Sequence, residues 1–470
     1  MEEQKTIKGK EAQLMLQELN MELLPRKFGA MGKMWVGLLI TIIIIGLISY
    51  IKQLKYGLSV TGMGDYVSWG IYISNFVFFV AASLVGSLIT AILYLLNVKW
   101  RAPLTRISEV IAVAAIMFAG LIIIVDMGRP DRLHHILLYG RIQSPILWDI
   151  IVITTYMTIS ILLLYFPLLP GIAFCRDNLL NIPKWQKKMY KVLSLGWKGT
   201  REQFAIIKKS VTILSVLIIP VALSIHTVTS WLFATTFRPG WDSTNFGAYF
   251  VSGAFMLGAA AVIAGMFVFW KFYPYYNKYI TEKHFDRMGK LLVLLSLVYL
   301  YFTINEYLVP AYKMKEVEAE HLESLFTGHY APMFWSVQIF GMFIPIIALL
   351  FQRFRKPKPM FIIAIMVIVA AWFKRFLIVI PTMLHPFLPM QEVPKEMQHY
   401  TPTFEEWSIT LASLSAALLV ITIFVRYFPI LSIWEIAEER GIEPEELEVG
   451  DEKKFNTDFK NLQYEKSVQA

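Results

Sequence analysis

The sequence predicts an all-α polytopic membrane protein with about ten transmembrane helices. Three observations carry this. Hydrophobic residues make up 56% of the 470 residues and charged residues only 17%, against roughly 45 to 50% and 25% in a soluble domain. The apolar residues are gathered into blocks of bilayer length instead of recurring at helical or strand periods. The segments between the blocks alternate in charge, as loops on two sides of a membrane do. A transmembrane barrel is excluded, because its strands alternate apolar and polar residues and are about half as long.

Blocks of at least about 18 apolar residues place spans at approximately 34–51, 67–96, 107–125, 146–169, 211–233, 247–270, 291–312, 332–351, 360–384 and 407–428. The first follows a polar segment, residues 1–33, carrying Lys5, Lys8, Lys10, Arg26, Lys27 and Lys33. No small-residue cleavage site follows it, so the expectation is a retained span and not a signal peptide. The second opens with Trp69-Gly70-Ile71-Tyr72 and the sixth with Phe246-Gly247-Ala248-Tyr249. This aromatic-Gly-x-Tyr repeat, into helices rich in small residues, suggests two four-helix bundles, spans 2 to 5 and 6 to 9, flanked by spans 1 and 10. Chance resemblance is the alternative. The organisation expected is therefore residues 34–233 for the first span plus first bundle, 247–428 for the second bundle plus last span, and a charged tail, 429–470, with a short helix and a flexible end.

The loops orient the chain. Loops two, four, six and eight carry Lys99, Arg101 and Arg106; Lys184, Lys187, Lys188, Lys191, Lys198, Arg201, Lys208 and Lys209; Lys271, Lys278, Lys283, Arg287 and Lys290; and Arg353, Arg355, Lys356 and Lys358. These loops and both termini are expected in the cytoplasm. Loops seven and nine are acidic, with Glu316, Glu318, Glu320, Glu323, Glu392 and Glu396 beside His321, His329, His385 and His399, and are expected outside. Loop three breaks the rule with Arg129, Arg132 and Arg141, which suggests that those arginines have partners or ligands.

Composition also excludes functions. Cys175 is the single cysteine, so no disulfide, cysteine-ligated iron-sulfur cluster or thiolate zinc site can form within the chain. The net charge of +9 reports membrane orientation and not nucleic-acid binding. Bis-histidine haem needs paired ligands on facing helices, and His226 is the one histidine clearly inside a span. No metal site is expected.

An ionisable group inside a span costs about 2.5 to 3.5 kcal/mol on insertion scales, so each asks for a reason. Asp126 closes span 3, and the run Asp126-Met127-Gly128-Arg129-Pro130-Asp131-Arg132-Leu133-His134-His135 follows; Asp149 lies one turn inside span 4 beside Trp148. Asp149 reads either as a carboxylate favoured by the helix dipole or as a proton acceptor. Asp126 with Arg129 reads as an ion pair fixing the turn, or as ligand-binding. His134 and His135 are a solvated pair or a pair of which one, His135 by preference, faces the bundle. His226 is a satisfied core histidine or a functional one. In the second bundle Glu306 is expected to pair with one of Lys374 and Arg375, which adjacent positions turn about 100° apart; the pair is structural or part of a proton or substrate path.

A carboxylate and a histidine at one membrane face suit a hydroquinone, whose two hydroxyls must each lose a proton as electrons leave. The Trp69-Gly70 opening, the Asp126-x-Gly-Arg-Pro-Asp-Arg run and the Gly140-Arg141 to Ser144-Pro145-x-x-Trp148-Asp149 stretch resemble the NrfD/polysulfide reductase membrane-subunit family over most of the chain. Ten spans and the polar N-terminal extension look most like the quinol-binding ActC subunits of bacterial alternative complex III. That resemblance implies a multi-pass subunit of the bacterial inner membrane that oxidises menaquinol or ubiquinol near the periplasmic face and is not catalytic alone. It further implies a periplasmic iron-sulfur partner, other membrane subunits including a homologous one, multihaem cytochrome c subunits, and possible coupling to proton translocation. By motif match, Asp149 and His135 would be catalytic, with Trp69, Asp126, Arg129, His134, His226 and Arg375 around the quinol and Glu306, Lys374 and Arg375 on a proton path. Two rival readings stand beside it, a secondary transporter, whose site belongs nearer the midplane, and a paralogous structural anchor of ActF type without a quinone site.

Overall fold

The computed structural model describes residues 25, 28–179, 182–388, 393–394 and 398–431. Most of the N-terminal segment, Glu392 and Glu396, and the tail beyond residue 431 lie outside the described residues. Ten helices are long and apolar enough to cross a membrane: α1 (Ala30–Tyr56), α2 (Ile71–Leu95), α3 (Ala102–Asp126), α4 (Pro145–Asn178), α5 (Arg201–Ala234), α6 (Phe246–Phe272), α7 (Glu282–Lys313), α8 (Ala331–Leu350), α9 (Pro357–Leu384) and α10 (Phe404–Tyr427). Each coincides with an expected span. Four overrun it by nine residues or more: α1, α4, α5 and α7 reach 27, 34, 34 and 32 residues. Good helix formers at the polar ends, such as Glu202-Gln203 and Glu282-Lys283, carry the helix beyond the apolar block. Short helices at His135–Tyr139, Lys184–Leu193 and Glu316–Phe326 occupy three of the loops.

Contacts divide the chain into two compact units. In the larger, Lys27–Leu164 with Thr212–Arg426, hydroxyls knit the first four-helix group. Thr90 and Ser108 join α2 to α3 at 3.0 Å, Ser87 and Ser160 join α2 to α4 at 3.1 Å, and Tyr156 donates to the Ser83 carbonyl at 2.7 Å. Gly86 is required here, since a Cβ would lie 2.0 Å from the Ser108 carbonyl oxygen and hold α2 away from α3. The second group is joined by stacking of Tyr249 on Tyr299 at 5.3 Å and by a π-turn at Ile339–Phe343 in α8, where Gly341 meets Ala370 of α9. Helices α1 and α10 pack on each other, with Ser408 donating to Ser49 at 2.7 Å and Lys52 paired with Glu405. They join α2 through Tyr72 to Gln53 at 2.8 Å and Asn75 to Thr410 at 2.7 Å. The smaller unit contains Tyr165–Val211, in which Arg176, paired with Asp177, also donates to Ser194 Oγ at 3.0 Å.

Candidate functional site

Pro145 opens α4, its fixed φ suited to a first helical position, and Asp149 follows one turn later, 3% exposed. Its Oδ1 accepts a hydrogen bond from Thr229 Oγ1 of α5 at 2.6 Å. His226 lies three residues before Thr229, hence on the same helix face, and is 2% exposed. Its Nδ1 lies 3.4 Å from the Ala222 carbonyl oxygen, and its Nε2 has no partner among the described residues. Phe233, one turn further on, meets Trp69 edge-on at 5.5 Å, while Trp69 stacks on Trp241 at 5.8 Å.

Arg375 of α9 is buried as well, 3% exposed. Its Nη2 passes the backbone of Gly253 at 3.3 Å from where a Cβ would stand. Nε and Nη1 have no hydrogen-bond partner among the described residues. A buried guanidinium with two unmet donors is costly unless a ligand or water meets them.

The remaining expected residues fall elsewhere. His134 and His135 are both exposed, stacked edge-on at 4.4 Å, with His135 also 5.3 Å from Tyr139; neither joins the buried groups. Arg129 does not pair with Asp126 but with Asp131, at 3.1 Å, because Gly128 at φ +62° turns the chain so that the nearer carboxylate follows it. One oxygen of Asp126 is left without a partner among the described residues. The expected ion pair of Glu306 with Lys374 or Arg375 is also not formed. Glu306 accepts from Ser243 Oγ at 2.7 Å, and Lys374 donates to Tyr307 Oη at 2.8 Å within reach of the Tyr249 and Phe334 rings. Neutral hydroxyls and ring faces substitute for the counter-ion.

Glu318 and His321, in a loop read as acidic and outward-facing, are 3% and 6% exposed, because the helix Glu316–Phe326 buries one face against α7 and α9. With Glu306, Tyr307, Tyr249 and Thr382 they line a cavity with about 30 Å³ available to the centres of water molecules, room for a water or two. Burial, reinforced by His385, holds His321 well below the ordinary imidazole range, at about 3. Thr229, Ser243 and Tyr307 were not singled out by the sequence. The signal for Thr229 was its place three residues beyond His226; Ser243 and Tyr307 gave none, because hydroxyls are common in such helices.

These features define a polytopic membrane protein with an acid, an imidazole and a guanidinium buried among its spanning helices. The chain belongs to the polysulphide reductase NrfD family, which it matches over residues 59–386, a stretch running from just before α2 to just after α9. It is 29% identical over 237 residues to a putative dimethyl sulfoxide reductase membrane subunit of Halobacterium salinarum, covering 50% of this chain and 51% of that protein. It is 24% identical over 415 residues to a selenate reductase subunit of Mesobacillus selenatarsenatis, covering 85% and 95% of the two chains. It is also 21% identical over 427 residues to a menaquinone reductase integral membrane subunit of Nitratidesulfovibrio vulgaris, covering 84% and 91%.

Proposed function

We propose that this chain is the quinol-binding membrane subunit of a respiratory complex, oxidising menaquinol or ubiquinol near the periplasmic face of a bacterial inner membrane with both termini cytoplasmic. The observation that carries the reading is the buried Asp149, held by Thr229 and adjoining a face with an unpartnered His226 Nε2. A hydroquinone donates two protons and two electrons on becoming a quinone. Asp149 takes the proton of one hydroxyl, the unpartnered Nε2 of His226 takes that of the other, Arg375 donates to an oxygen as it becomes a carbonyl, and Trp69 walls the ring. The exposed His135, with His134, Asp126 and Arg129, passes protons outward. The electrons go to an iron-sulfur subunit on the periplasmic side, in an assembly of the alternative complex III kind with a homologous membrane subunit and multihaem cytochrome c subunits. The relatives' names support a subunit of a multi-component, quinone-linked reductase. Glu306, Lys374 and Arg375, with the cavity beside Glu306, form a path for coupled proton movement.

The test is Asp149→Asn in the assembled complex. It keeps shape and removes basicity, so quinol oxidation should fall by about a hundredfold or more, the usual range for a lost general base, while the subunits still assemble. His135→Ala should slow turnover, and Asp177→Asn should leave it near normal. Parental turnover by the Asp149→Asn complex across a pH series would refute the role.

A further inference from the structure

We propose that the helix Lys184–Leu193, in the loop joining α4 to α5, binds the headgroups of anionic phospholipids at the membrane surface. The residues from 178 to 210 carry eight basic side chains against one acidic, Glu202. A bias toward basic loops explains a net charge, but it asks for no helix, no apolar stripe and no rigid mounting, and this segment has all three. Gln186 and Tyr190 form the buried face. Trp185 and Val192, two turns apart on one line, are 54% and 61% exposed, and Leu195 just beyond is 71% exposed. Lys184, Lys187, Lys188 and Lys191 fill the rest of the circumference and are all exposed. An apolar stripe bordered by lysines is the pattern of a helix lying in the interface plane, its stripe toward the acyl chains and its ammonium groups among the phosphates.

The helix is held in one orientation. Tyr190 receives a hydrogen bond from Gln186 at 2.9 Å and donates to the Tyr427 carbonyl at 2.7 Å, Trp185 meets the Tyr427 ring at 5.4 Å, and Tyr165 donates to the Leu193 carbonyl at 2.5 Å. No ion pair engages these four lysines among the described residues. By contrast, in the sixth and eighth loops Lys290 and Arg355 are both committed to Asp286, at 2.7 and 2.6 Å. Four uncommitted ammonium groups on a fixed face complement phosphate charge, each contributing about fivefold to attraction by an anionic surface.

The experiment uses the intact complex in nanodiscs of phosphatidylcholine with a minor fraction of either brominated phosphatidylglycerol or brominated phosphatidylcholine, reading tryptophan quenching against the Trp185→Phe variant. Quenching assigned to Trp185 should be severalfold stronger with the brominated anionic lipid and should weaken with salt. Replacing Lys184, Lys187, Lys188 and Lys191 with Gln should bring the two lipids to parity. The same number of changes at Lys283, Lys356, Lys358 and Lys271 should leave the preference in place. Equal quenching by both lipids in the parental complex overturns the proposal. So does a preference that survives the first set of changes, or an equal loss from the second set, which would mean a diffuse field. Absence of quenching by either lipid would mean that another protein of the complex shields the helix, and overturns it too.

Discussion

Arg375→Met separates a ligand-binding guanidinium from a structural one. Arg375 is 3% exposed and two of its nitrogens lack partners among the described residues. If a quinone oxygen meets one of them, the bond is charge-assisted and worth about 1.5 to 3 kcal/mol, so methionine should weaken quinone binding by about ten- to a hundredfold. Stability should move the other way or not at all. A buried charge without full pairing carries a penalty of several kcal/mol, which a neutral side chain of similar length removes. Both are measurable in one preparation, by titrating a menaquinone analogue into the assembled complex and by following thermal unfolding in the same detergent. Unchanged affinity with a stability loss of about 3 to 5 kcal/mol, the signature of breaking a buried pair, would refute the reasoning. Arg375→Lys should fall between, because an ammonium group lacks the planar fork of donors.

Two further outcomes follow from the second bundle. His321 is held at about 3 in the folded protein, below the roughly 6.5 of an unfolded chain, so the unfolded state binds the extra proton; stability should be complete above pH 6.5 and fall by about 1.4 kcal/mol per unit as the pH drops toward 3, and His321→Gln should flatten that slope in thermal scans. Tyr307→Phe removes the acceptor 2.8 Å from Lys374 Nζ and should cost about 1 to 3 kcal/mol, whereas Lys374→Met, which removes the buried charge itself, should be near neutral; the reverse order in denaturation midpoints would show that Lys374 has a counter-ion.

The spans were legible because lipid leaves a chain one choice, a continuous apolar helix with its backbone bonded internally. What lay between spans was not. The helix Lys184–Leu193 was hidden inside a count of basic residues, since its stripe of Trp185 and Val192 shows only when residues are set on a helical wheel. Glu318 and His321 read as outward-facing in an acidic stretch, and nothing local announces that their helix folds back onto α7 and α9. Asp149 stood out as an acid inside an apolar block, and the structure keeps it buried. His135 stood out by proximity in a motif, and the structure leaves it on the surface.

The openings Trp69-Gly70-Ile71-Tyr72 and Phe246-Gly247-Ala248-Tyr249 share a residue pattern but differ in their surroundings. Gly70 is forced by contact, since a Cβ would stand 2.6 Å from Tyr400 Oη, while Gly247 has nothing nearer than 3.5 Å. Tyr72 turns away from its bundle to Gln53 of α1, and Tyr249 stacks inward on Tyr299. The buried charged and titratable groups are spread over both halves, with Arg106, Glu109, Asp149 and His226 in α3 to α5 and Glu306, Lys374 and Arg375 in α7 and α9. The connection between the bundles brings them together. Trp241 stacks on Trp69 and meets Phe233 edge-on, while its Nε1 donates to the Ile378 carbonyl of α9, one turn beyond Arg375, at 2.9 Å. If a quinol binds beside Asp149 as proposed, its base comes from α4 and its cationic donor from α9, so the proposed site depends on the packing of those helices as much as on any single side chain.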